Sequence, residues 1–342
     1  MRPASRPLGK TGLQLPALGF GAAPLGNLYR ALPDGEARAT IDAALALGLT
    51  YVDTAPHYGL GLSERRVGDA VRGTGAIVSS KVGRILFPAP DADVAAERYG
   101  FRTPMPFDAR FDYSHDGILR SHEASLQRLG LARIDILYIH DIGRLTHGDA
   151  HPHHWRQLTE GGGLRALARL RDEGAVAAIG AGVNEVAICL DLLDQAPLDA
   201  ILLAGRYTLL EQGALETLFP RCAQAGTAIV IGGPYNSGIL AGGPKPVRHY
   251  DYAPPPPAVL EKAGRIAAIC ARHGVPLGAA ALQFAMAHPL VASVIPGLAS
   301  VKEVQETMDR AILNIPTDLW AELKQERLIA ADAPTPAVQV AA

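Results

Sequence analysis

The chain has 342 residues, 48% hydrophobic and 19% charged, and its 32 Lys and Arg against 34 Asp and Glu give a formal net charge of −2. That apolar share suffices for one large core and argues against extensive disorder, while the scattered basic residues create no field for nucleic acid or anionic lipid. The opening Met1-Arg2-Pro3-Ala4-Ser5 lacks a signal-peptide run, and no stretch approaches the roughly 20 apolar residues that span a bilayer, so a cytoplasmic protein without membrane contact is expected.

Apolar or β-branched runs predict strands at Ala17–Phe20, Thr50–Asp53, Ala76–Ser80, Ile134–His140, Ala177–Ala181, Ala200–Ala204, Ala228–Gly232 and Ser293–Pro296. Between and after them, helical periodicity predicts Gly35–Leu47, Ser63–Val71, Tyr113–Leu129, Gly163–Glu173, Glu185–Leu193, Ala214–Ala225, Pro257–Arg272 and Lys302–Ile312, with an extra helix near Leu277–His288. Gly48, Gly130, Gly174, Gly226 and Gly274 stand where helices should stop.

Eight strand-then-helix units with no linker between halves predict an α/β fold, a single (β/α)8 TIM barrel over residues 1–342 with an appended tail at 331–342. Phe87–Asp112, Gly143–Glu160 and Tyr235–Pro256 are expected as long irregular loops on the barrel's C-terminal face. The glycines around Gly19 and Gly21 lack the GxGxxG spacing of a Rossmann turn. Cys189, Cys222 and Cys270 lie far apart in apolar patterns and are expected to be buried, inert thiols.

Charged residues ending barrel strands are costly unless paired and therefore mark a site. Asp53 ends TYVD, Lys81 ends IVSSK and His140 ends IDILYIH, while Tyr58 follows in DTAPHYG. Taken one at a time, Asp53 and Lys81 read equally well as a structural ion pair and His140 as a core histidine. Together they suggest proton chemistry, with the Lys81 ammonium lowering the Tyr58 pKa from its usual value near ~10.

In order and context, Asp53, Tyr58, Lys81 and His140 resemble the catalytic tetrad of the aldo-keto reductase superfamily. The similarity runs from PLGKTGLQLPALGFGAAPLGN through DTAPHYGLGLSE and LGLARIDILYIHD to VIPGLASVKEV, essentially the whole chain. It implies that Tyr58 exchanges the proton while hydride passes to or from a nicotinamide, that Lys81 and Asp53 tune Tyr58, and that His140 orients the reacting oxygen.

For the cofactor, the resemblance implies contacts from Gly21, from Asn184 in IGAGVNE, and from a pyrophosphate loop in GGPYNSGILAG with Gly233, Asn236, Ser237, Gly238 and Leu240. It further implies an adenosine clamp in PGLASVKEVQET with Gly297, Glu303, Glu306 and Thr307. Val183 replaces the family's serine before Asn184, and no glutamine follows the sixth strand, where Arg206 or Tyr207 are the alternatives. Gly297, Leu298 and Glu303 stand where NADP-preferring relatives carry Lys, Ser and Arg, so NAD is expected over NADP, with Lys302 as the one residue able to change that.

The same segments resemble the subgroup of D-threo-aldose 1-dehydrogenases (L-fucose dehydrogenases) and pyridoxal 4-dehydrogenases. That implies oxidation of a cyclic hemiacetal hydroxyl to a lactone. His57, Asp141, Arg84, Phe87, Tyr113 and Trp155 are the candidate substrate contacts.

His147, His151, His153 and His154 read as a solvated loop rather than a metal site, and no metal is expected. Two other classes fit parts of the pattern. A metal-dependent hydrolase would use Asp53, His57, His140 and Asp141 but leaves Tyr58 and Lys81 unexplained, and a non-catalytic barrel leaves the whole tetrad unexplained.

Overall fold

The structure, a computed structural model, describes residues 3–242, 249–251 and 253–336. Its centre is an eight-stranded sheet whose neighbours follow chain order: Phe20–Gly21, Tyr51–Asp53, Ile77–Val82, Ile136–His140, Ala178–Val183, Ala200–Ala204, Ala228–Gly232 and Val291–Ile295, all paired in parallel. Parallel bridges Leu18↔Val294 and Gly21↔Gly297, with Gly19 N donating to Val294 O at 2.9 Å, join the last strand to the first and close a TIM barrel. At that seam a Cβ on Gly21 would sit 3.0 Å from the Ile295 carbonyl oxygen, so the close approach requires glycine.

The fourth, fifth, seventh and eighth barrel strands are buried along their whole length, and the sixth up to its last residue. One face fills the interior and the other packs under helices, as expected where helices cover a parallel sheet. The helix His115–Leu129 shows how the sequence sets such a cover. Ser114 caps its start by accepting from Gly117 N, Gly130 ends it at φ 61, and Ile118, Ser121, His122, Ser125 and Leu129 form its buried face. The other outer helices run Asp34–Ala46, Leu62–Val71, Gly163–Asp172, Val186–Gln195, Ala214–Ala225, Pro257–Arg272, Leu277–Ala287 and Val301–Ile312.

Several expectations need correction. The first strand is shorter and later than Ala17–Phe20, and the last begins at Val291 because His288 turns the chain early. An antiparallel hairpin, Ser5–Pro7 with Gln14–Pro16, went unread; it covers the N-terminal end of the barrel, and Leu8, just after its first strand, and Leu15, within its second, pack among Tyr51, Ile136, Tyr138 and Val230. Phe87–Asp112 is not a plain loop, since Arg84–Pro88 pairs with Phe107–Phe111. Gly143–Glu160 holds the helices Arg144–His147 and His151–Leu158, and Thr317–Gln325 is a further helix before the tail. Within Tyr235–Pro256, residues 243–248 and 252 lie outside the described residues.

All three cysteines are buried and unpaired, and burial pushes the Cys222 and Cys270 thiols up to about 12 and about 11, so neither is reactive. Among the described residues no helix is long and apolar enough to cross a membrane.

Candidate active site

Strand register brings the strand-end residues together. Asp53 lies beside Ser79, Lys81 beside Tyr138, and His140 beside Gly182. Because side chains alternate across a strand, Tyr51 and Asp53, Ser79 and Lys81, and Tyr138 and His140 share faces in pairs. The fifth strand, AIGAGV, contributes emptiness: a Cβ on Gly182 would stand 3.2 Å from Lys81 Cε, and one on Gly180 3.0 Å from the Tyr138 ring.

Lys81 Nζ donates to Asp53 Oδ2 at 2.7 Å and to the Thr54 carbonyl at 2.9 Å, with both side chains almost wholly buried. The second Asp53 oxygen accepts from Ser79 Oγ at 2.7 Å. Tyr58 lies 4.7 Å from the ammonium, measured to its ring centre, and 6.0 Å from the His140 ring at 88°. The Gly26–Gly59 contact fixes the Tyr58 loop, since a Cβ on Gly26 would fall 2.5 Å from the Tyr58 carbonyl carbon. All four tetrad positions therefore converge on the barrel mouth.

The expected acidification of Tyr58 by Lys81 does not hold in this state. Burial pushes the Tyr58 phenol well above its usual value, the Asp53 and Asp141 carboxylates push it further, and Arg84 offsets part of this. Tyr58 is thus protonated at neutral pH. His140 is neutral, because burial, Arg84 and Lys81 all disfavour its cation.

Around these groups stands a polar wall. Arg84 donates to Asp141 Oδ2 at 2.8 Å and lies 4.6 Å over the Phe111 ring, and the same Asp141 oxygen is 3.4 Å from His140 Nε2. Asp141 adopts φ 47, a left-handed conformation that turns it back toward His140. His57 packs 6.0 Å from His140, against Phe101 and Tyr99, and burial keeps it neutral. Among the described residues, His57 Nδ1, His140 Nδ1 and Arg84 Nε are buried without hydrogen-bond partners.

Of the six substrate candidates, His57, Asp141 and Arg84 meet beside the tetrad. Tyr113 instead sits behind it, fully buried, donating to the His140 carbonyl at 2.7 Å and touching His147. Phe87 is exposed on the hairpin, and Trp155 packs against the core beside His151. Phe101, Tyr99 and Phe111 were missed; they come from the segment read as irregular, and only its aromatic content hinted at them. His147 and His151 are buried, correcting the solvated-loop reading: His147 contacts Phe111 and Tyr113, and His151 bonds the Ile142 carbonyl. Among the described residues no group of three His, Cys, Asp or Glu is arranged to hold a metal.

The cofactor candidates divide. Asn184 follows the fifth strand, half-buried at the mouth. Gly233, Ser237 and Gly238 take left-handed conformations, at φ 57, 57 and 104, in a tight loop after the seventh strand. However, the Asn236 amide donates to Gly233, and the Gly238 and Leu240 amides both donate to Tyr235. The Asn236 side chain is spent on Thr208 and Gly205, tying this loop to the one after the sixth strand, and Leu240 is core.

Of the two alternatives for the missing glutamine, Tyr207 faces the core against Phe219 and Phe284, and Arg206 grips Asp251. In the PGLAS segment Glu303 caps its own helix, accepting from Ala299 N at 2.7 Å. Glu306 stands 3.7 Å from both Lys302 and Arg310, and Thr307 is buried. Arg310 also lies 5.6 Å over the Tyr235 ring, a cation beside the loop that the sequence did not single out.

A closed parallel barrel whose mouth gathers a buried Lys–Asp pair, a protonated tyrosine and a neutral histidine defines a barrel enzyme of proton-transfer chemistry. The model of the Aldo/keto reductase family matches residues 17–327, and the chain belongs to that family. It is accordingly an oxidoreductase of a kind that works with a nicotinamide cofactor.

A pyridoxal 4-dehydrogenase of Microbacterium luteolum is 42% identical over 335 residues, covering 95% of this chain and 97% of that protein. A D-threo-aldose 1-dehydrogenase of Pseudomonas sp is 43% identical over 331 residues, with 95% and 97% covered. Among solved structures, the holo form of an aldo-keto reductase from Bacillus halodurans is similar with a TM-score of 0.73 at 25% identity, covering 97% of this chain and 98% of that one.

Proposed function

We propose that the protein oxidises the hemiacetal C1 hydroxyl of an aldose of the L-fucose or D-threo type to the lactone, using NAD in preference to NADP. The observation that carries this reading is the set of buried polar atoms without partners beside Tyr58, namely His57 Nδ1, His140 Nδ1 and Arg84 Nε, next to the Arg84–Asp141 pair. Leaving such atoms unpaired is costly, and a substrate carrying several hydroxyls satisfies them where a plain carbonyl compound cannot. The names of the two similar dehydrogenases agree with that chemistry.

The mouth suits a nicotinamide. Asn184 would hold its carboxamide, Gly21, Gly233, Ser237 and Gly297 would admit the chain of phosphates and sugars, and Glu306 and Thr307 would meet the adenosine. The internally bonded amides of Asn236, Gly238 and Leu240 leave Ser237 and the Arg310 cation as the better-placed phosphate partners. Glu303, with no basic residue in its own place, would disfavour a 2′-phosphate, which supports NAD. A nicotinamide held there would supply the acceptor for the hydride that leaves C1.

The chain's own residues handle the rest. Tyr58 exchanges the anomeric hydroxyl's proton, Lys81 held by Asp53 stabilises the phenolate form, and neutral His140 fixes the oxygen by a hydrogen bond. His57 and Asp141 bind neighbouring hydroxyls.

A second reading, oxidation of pyridoxal at its 4-position, is favoured by the aromatic wall of Phe101, Phe111 and Tyr99 and by the Microbacterium relative's name. Initial rates with L-fucose, D-arabinose, L-galactose and pyridoxal, each with NAD and NADP, test both. Reduced cofactor should appear fastest with an aldose and NAD; pyridoxal as the only substrate oxidised replaces the first reading with the second, and no oxidation in any pairing overturns both.

A further inference from the structure

Beneath the Lys81–Asp53 pair the barrel interior is unusually polar. Interior layers of such barrels are mostly Val, Ile and Leu, yet here Tyr51, Ser79 and Tyr138 are fully buried among Ile136, Ala178, Ala200 and Val230. Ser79 Oγ donates its single proton to Asp53 Oδ1 at 2.7 Å. It can only accept from Tyr51 OH at 3.1 Å, so Tyr51 is the donor there. With its proton committed, Tyr51 in turn accepts from Tyr138 OH at 3.2 Å. Proton counting therefore fixes every direction: Tyr138 to Tyr51 to Ser79 to Asp53.

We propose that Ser79, Tyr51 and Tyr138 are positioning residues for the reaction, a one-way hydroxyl chain that keeps the Asp53 carboxylate from rotating so that Lys81 stays fixed beneath Tyr58. The proposal rests on the tetrad reading above. Chained hydrogen bonds polarise one another, so each hydroxyl strengthens the next donor along. From the mouth side Asp53 faces Lys81 and Tyr58, with His140, Arg84 and Asp141 beyond. Toward the interior, Asp53 Oδ1 accepts from Ser79, the near end of this hydroxyl chain.

The test is steady-state kinetics of Ser79→Ala, Tyr51→Phe, Tyr138→Phe and Ser79→Thr in the full-length enzyme with its better nicotinamide and best aldose, beside Tyr58→Phe. Loss of kcat should follow distance along the chain, about tenfold for Ser79→Ala, about threefold for Tyr51→Phe and under about twofold for Tyr138→Phe. Substrate KM and cofactor Kd should stay unchanged, and Ser79→Thr should restore kcat.

A purely structural role predicts losses that track melting temperature and ignore this order, and that result overturns the proposal, as does an effect confined to KM. If Ser79→Ala does not fold, Tyr51→Phe against Tyr138→Phe decides by the same ordering. An active Tyr58→Phe brings down the tetrad reading itself, whereas an inactive Tyr58→Phe beside a fully active Ser79→Ala removes only the chain.

Discussion

The Lys81 ammonium stands 4.7 Å from the centre of the Tyr58 ring, yet the phenol keeps its proton, because burial and the carboxylates of Asp53 and Asp141 outweigh the cations nearby. The proposed role requires Tyr58 to lose that proton before oxidation, so kcat/KM for the proposed aldose should climb with pH and not level off below about 10, the ordinary value for tyrosine. Carbonyl reduction, which needs the protonated phenol, should hold its rate until the same alkaline range. A pH series in both directions measures this, and an oxidation plateau near neutrality contradicts it.

Breaking the pair itself is a stability experiment. Lys81→Met leaves Asp53 as a buried charge without its cation, which costs about 3–5 kcal/mol. The double change Lys81→Met with Asp53→Asn removes both charges and should recover most of that loss in chemical denaturation, while neither variant regains activity. A double variant no more stable than the single one would show that the charges are not coupled.

Asp141 offers a cleaner probe of substrate recognition. Its φ of 47 suits asparagine as well as aspartate, so Asp141→Asn should fold normally. It removes the charge facing Arg84 and His140. KM for a polyhydroxylated substrate should rise about tenfold, the worth of one charge-assisted hydrogen bond, with cofactor affinity unchanged by fluorescence titration. An unaltered KM would remove Asp141 from the binding wall.

His288 couples stability to pH. Its Nδ1 accepts from Leu290 N at 3.1 Å, its ring packs 4.3 Å from Phe219, and burial lowers its pKa to about 4. The folded form refuses a proton that the unfolded chain takes up near the ordinary histidine value of about 6.5. Stability present above about 6.5 should therefore drain away as pH falls toward about 4. His147, lowered to about 4 chiefly by burial, acts in the same window. His288→Asn keeps an acceptor without titrating, so its melting temperature should depend less steeply on pH there; an identical slope refutes the assignment.

The barrel could be read from the sequence because parallel strands covered on both faces appear as continuous apolar runs, each ended by a glycine or a charge, and Asp53, Lys81 and His140 announced themselves by breaking those runs. The hairpin Arg84–Pro88 with Phe107–Phe111 could not, since nearly twenty residues separate its strands and no two-residue turn marks it. Ser79, Tyr51 and Tyr138 were hidden for another reason: polar residues inside a strand look like the solvent face of an alternating pattern. Gly180 and Gly182 carried the missing clue, two gaps in one strand that make room for side chains from its neighbours.

The hairpin region that seats Leu8 and Leu15 among Tyr51, Ile136, Tyr138 and Val230 closes the floor of the barrel. Whatever meets Tyr58 and Lys81 must therefore come from the opposite side, so reshaping the loops there alters access without touching the core that holds the pair in place.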